Sequence, residues 1–77
     1  MPLTNDQHRA LRLLADTRHG RTLANMLAHG FRRALLNELV SAGFAVAEPG
    51  TIRASGRTME VIWFMITEAG RAMLDTV

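Results

Sequence analysis

An α+β domain is what the sequence predicts: a three-helix bundle, an antiparallel hairpin of two or three strands, and a short closing helix. Three observations predict it. Apolar residues recur at helical spacing as far as Ala42 and give way to strand-like runs after Gly43. Start and stop signals divide the first half into three segments. A length of 77 residues, 48% of them apolar, is enough for one core and too short for two. The chain therefore reads as a single domain over residues 1–77.

Thr4-Asn5-Asp6-Gln7 has the form of a capping box, with an acidic residue where the helix dipole favours it. In the helix that follows, Gln7, Ala10, Leu11, Leu13, Leu14 and Thr17 share one arc, and Arg9, Arg12 and Asp16 lie opposite. Gly20 is read as its stop. Thr22 caps a short second helix through Ala28, with Leu23, Met26 and Leu27 spaced to face the core, and His29-Gly30 ends it. A third helix is expected from Phe31 to Ala42. It buries Phe31, Leu35, Leu36, Leu39 and Val40 and presents Arg33, Asn37 and Ser41 at steps of four. Gly43 suits a left-handed terminus, with Phe44 against Leu39 as the apolar contact of a Schellman motif.

Phe44–Glu48 then reads as a strand, Pro49–Arg57 as a loop, and Thr58–Ile66 as a second strand. Thr67 caps a last helix through Leu74, with Glu68 in its first turn.

Charge narrows the function classes. The formal net charge is only +2. The sequence pI of about 11.1 reflects the lack of Lys, Cys and Tyr, which leaves almost nothing to titrate between histidine and arginine. All nine basic residues are arginine and the excess lies in the N-terminal half, a bias towards planar, bidentate contacts such as phosphate. The absence of cysteine excludes disulfides, thiolate metal sites and thiol nucleophiles. His8, His19 and His29 lack partners at metal-ligand spacing, and no Ser-His-Asp grouping, phosphate-binding glycine loop or paired carboxylates emerge, so neither an enzyme nor a cofactor is expected. Without an eighteen-residue apolar run or a signal-like N-terminus, no membrane association is expected and the cytoplasm is the expected location.

Thr22-Leu23-Ala24, Leu27, Leu36, Leu39-Val40, Ala42-Gly43-Phe44 and Ile66-Thr67-Glu68-Ala69-Gly70-Arg71-Ala72-Met73-Leu74 resemble the frame of winged helix-turn-helix regulators of the MarR and related types. The resemblance runs from about Leu11 to Leu74. It implies a small DNA-binding regulator, with double-stranded DNA as partner, a helix at 31–42 in the major groove and a β-wing whose loop at 49–57 meets the backbone. Arginine pairs with guanine and asparagine with adenine in that groove. The resemblance thus implies Arg33 and Asn37 as base readers, Arg32 and Ser41 as flanking contacts, and Arg53 and Arg57 as wing contacts. Arg21 and Thr22, starting the preceding helix, are candidates to hold a phosphate. The stretch from Leu27 to Gly43 is shorter than usual for the family, so its turn must be tight, and helical angle turns Arg32 towards the core edge.

Plainer readings stand beside these. Arg9, Arg12 and Arg18 read as a solvated face with an Arg12–Asp16 pair, and Met residues sit at core spacings. The second strand is apolar on both faces: Met59, Val61, Trp63 and Met65 on one, Ile62, Phe64 and Ile66 on the other. A symmetric homodimer through the Trp63 face is expected from that surplus. The alternative function is a protein-interaction or dimerisation module that keeps the winged-helix frame without binding DNA.

Overall fold

Thr4 begins the first helix as its sequence requires. Its hydroxyl accepts from the Gln7 amide at 3.1 Å, and the Gln7 side chain accepts from the Thr4 amide at 3.0 Å. The computed structural model describes residues 3–75. Its elements are α1 (Asn5–Ala15), β1 (Arg21–Thr22), α2 (Leu23–Ala28), α3 (Arg33–Ser41), β2 (Ala45–Ala54), β3 (Arg57–Ile66) and α4 (Glu68–Asp75). The antiparallel sheet has the order β1-β3-β2.

Helix α1 buries Ala10, Leu11 and Leu14 completely. It ends at Ala15 instead of running on towards Gly20, where the Thr17 hydroxyl and amide both donate to the Leu14 carbonyl, at 3.2 and 3.3 Å. Gly20 serves the sheet instead: at φ +80° it lies against β3, where a Cβ would collide with the Phe64 carbonyl and the Met65 side chain. The ion pair on α1 joins Arg9 to Asp6 at 3.1 Å, not Arg12 to Asp16.

Helices α2 and α3 end alike. Gly30 and Gly43 take positive φ, and the amides of Phe31 and Phe44 reach back to the carbonyls of Met26 at 3.2 Å and Leu39 at 2.9 Å. Both are Schellman closures. The first compresses the α2–α3 turn into His29-Gly30-Phe31 and Arg32, which answers the short sequence spacing. As a result α3 begins at Arg33, two residues later than expected, and Phe31 is buried from the turn. Arg32 is the N-cap with extended backbone, so the helical angle does not apply to it and its side chain is exposed. In the short α2 only Met26 is fully buried, while Leu27 is 42% exposed.

The expected loop at Pro49–Arg57 is the main correction. Pairing runs unbroken from Ala45↔Ile66 to Ala54↔Arg57, leaving Ser55-Gly56 as a two-residue turn. Both turn residues have positive φ, +53° and +75°, as a type I′ hairpin requires. Pro49 is tolerated because β2 is an edge strand. Gly50 has a packing role: a Cβ there would lie 2.6 Å from Cδ1 of the Trp63 indole. The third strand is β1, joined to β3 through Arg21↔Phe64 and Thr22↔Trp63.

Thr67 fastens the closing helix. Its hydroxyl accepts from the Gly70 amide at 3.0 Å and donates to the Gly43 carbonyl at 2.6 Å, linking the start of α4 to the end of α3. At Gly70 a Cβ would meet the Phe44 carbonyl and the Ile66 side chain. The Ile-Thr-x-Ala-Gly segment is thus a close-packing device. Ala10, Leu11, Leu14, Met26, Phe31, Leu36, Leu39, Ala45 and Phe64 form the core. Among the described residues no helix is long and apolar enough to cross a membrane.

Candidate nucleic-acid interface

Helix α3 has one side fixed by burial. Leu36 and Leu39 are each 1% exposed, whereas Arg33, Asn37 and Ser41 are exposed at successive turns, with Arg32 exposed at the N-cap. Nine residues make a rod about 13 Å long, and a helix with its side chains is about 10–12 Å across, a width that a major groove of about 12 Å admits. Glu38 shares the exposed surface and sets one negative charge beside the two arginines.

The wing is a ribbon of two ten-residue strands, about 30 Å long at ~3.3 Å per residue. It accounts for the molecule's extents of 44 × 21 × 20 Å. Arg53 and Arg57 are both exposed near its tip. Arg53 pairs with Thr58 and Arg57 with Ala54, adjacent registers, so the pleat turns the two arginines to opposite faces of the ribbon. A strand of phosphates along one face meets one of them. A tip inserted edge-on meets both.

Arg21 and Thr22 have internal duties. The Arg21 Nε donates to the Leu13 carbonyl at 3.1 Å and one Nη to Asn25 Oδ1 at 2.9 Å, tying α1 to α2. The Thr22 hydroxyl accepts from the Asn25 amide at 3.1 Å and caps α2. A phosphate at this corner would meet those Arg21 hydrogens that are not already donated to Leu13 and Asn25.

The stripe Met59, Val61, Trp63 and Met65 is not uniformly bare. Met59 is 51% exposed, while the other three are half-buried, Trp63 lying across Gly50 and Met65 against Gly20. Val46, on the same face, and Ile62, on the other, are 40% and 41% exposed. Among the described residues no group of three or more His, Cys, Asp or Glu side chains is placed to hold a metal ion.

Two features differ in how far the sequence shows them. The Ser55-Gly56 pair was a visible hairpin signal, overshadowed by Pro49 and Gly50. The convergence of Arg9 and Arg12 with the α2–α3 turn had no sequence signal, because it depends on how α1 crosses that turn.

The three-stranded sheet β1-β3-β2, the tight helix-turn-helix and the long ribbon define a winged helix-turn-helix domain. The structure is similar to the crystal structure of a MarR-family transcriptional regulator from Rhodococcus sp. RHA1, with a TM-score of 0.65 and 22% sequence identity. The likeness covers 96% of this chain and 51% of the regulator, so the chain spans about half of that protein's length. It establishes the fold. No protein-family model matches the sequence, and no curated protein matches it.

Proposed function

We propose that the protein binds double-stranded DNA as a small transcriptional regulator, with α3 in the major groove and the wing tip on the backbone. The observation that carries the reading is the division of α3: Leu36 and Leu39 are hidden, and Arg33, Asn37 and Ser41 stand on the outside in one line behind Arg32. Arg33 and Asn37 are then the base readers and Arg32 and Ser41 the flanking contacts. Arg53 and Arg57 neutralise phosphate, and Arg21, in β1 just before α2, supports the same backbone with the guanidinium hydrogens not donated to Leu13 and Asn25. The likeness in fold to a transcriptional regulator supports this reading. A mobility-shift series tests it on a duplex selected from a random 20-bp pool. Arg33→Ala and Asn37→Ala should each weaken binding by about 1–3 kcal/mol, roughly five- to 150-fold, and relax sequence preference. Full affinity in a variant lacking Arg33, Asn37 and Arg53 together sinks it.

A second reading, compatible with the first, is a homodimer through the Met59, Val61, Trp63 and Met65 face. Exposed Met59 and Val46 on that face favour it. Because Trp63 also packs on Gly50, Met59→Glu is the cleaner probe. Light scattering should show a dimer that becomes monomeric in the variant, and a monomeric wild type removes the reading.

A further inference from the structure

The polar face of α1 does not simply meet solvent. His8, Arg9, Arg12, Leu13 and Asp16 line a shallow, open groove of about 620 Å³ together with His29 and Phe31 from the α2–α3 turn. The Arg9 guanidinium sits 5.2 Å from the centroid of the Phe31 ring and is tethered to Asp6 at 3.1 Å. Phe31 directly precedes Arg32 and Arg33, so the groove opens beside the N-terminal end of α3. That is the end through which a groove-reading helix approaches DNA.

We infer that this groove is a second phosphate seat, in which Arg9 and Arg12 extend the basic edge of α3 along the DNA backbone. The inference rests on the DNA-binding reading above. A guanidinium already parked on an aromatic ring gives up less freedom on meeting phosphate than a free surface arginine does. Arg18 is the contrast: it lies beyond the end of α1, exposed and outside the groove. Asp6 offsets part of the Arg9 charge, and Asp16 sits one turn past Arg12. The phosphate therefore belongs at the Arg9–Arg12 end over Phe31, with Asp16 opposing it.

Fluorescence polarisation of the full chain on a labelled random 20-bp duplex, from 50 to 300 mM salt, tests the seat. With Arg9→Gln and Arg12→Gln combined, the slope of log affinity against log salt should flatten by about 0.9 to 1.8, one or two phosphate contacts. Arg18→Gln should leave it unchanged. Asp16→Asn should tighten binding by about two- to fivefold, the scale of one water-screened charge, and it remains informative if circular dichroism shows the double variant unfolded. An unchanged slope in the folded double variant, or no gain from Asp16→Asn, overturns the seat while the wild type still binds. A wild type that binds no duplex overturns the DNA reading and the seat with it.

Discussion

The helical base and the wing are held together by different forces. Every core residue lies in a helix, in the turn before α3, or at the strand ends rooted in the base, Ala45 and Phe64. Between residues 46 and 63 no side chain is buried. The base rests on hydrophobic burial, which is steep and cooperative. The wing rests on a hydrogen-bonded ladder and on cross-strand pairs contributing about 0.2–1 kcal/mol each. The wing is therefore free to carry arginines at its tip, because nothing in the core depends on them.

If that division is right, substitutions should sort by region. Leu39→Ala opens a cavity at a residue 1% exposed between α3 and the core, and should cost about 2–5 kcal/mol. That is a large part of the total stability of a domain this small. Urea unfolding measures it, and a loss below about 1 kcal/mol would break the comparison from the base side. In the wing, Arg53→Ala and Arg57→Ala should each change stability by no more than about 0.5 kcal/mol while flattening the salt dependence of DNA binding by about 0.9 per lost contact. The single variants sharpen the picture further. Since the two side chains occupy opposite faces, a response to only one means the ribbon lies flat on the backbone, and equal responses mean it enters edge-on. A marked drop in melting temperature from either would show that the wing tip is structural after all.

The residues that were legible in advance share a property: their geometry is closed within a few positions of the chain. Thr4 finds Gln7 one turn away, Gly43 and Phe44 close on Val40 and Leu39, and Thr67 meets Gly70 within its own first turn. The α3 stripe follows from the helical repeat alone, so the exposure of Arg33, Asn37 and Ser41 was readable too. Its start was not. Phe31 has the right spacing for a helix, but the Schellman turn after α2 claims it first.

Structure departs from local propensity where distant partners overrule it. Pro49-Gly50-Thr51 is a loop by propensity, yet pairing with Ile62, Val61 and Glu60 holds it in a strand. Arg21-Thr22 becomes a strand only because β3 offers its second edge there. Arg21 could not be seen as a tie between helices, since its acceptors come from α1 and α2.

By itself the sequence determined the helical repeats, the caps at Thr4, Thr22 and Thr67, the stops at Gly30 and Gly43, and the order of helices and hairpin strands, because these depend on contacts no more than about five residues apart. Only the tertiary structure decided how far the ribbon extends, which face each wing arginine takes, and that Phe31 carries Arg9 beside the start of α3. Those outcomes are set by register and by the crossing of elements distant in the chain, and neither leaves a periodic trace in the residues concerned.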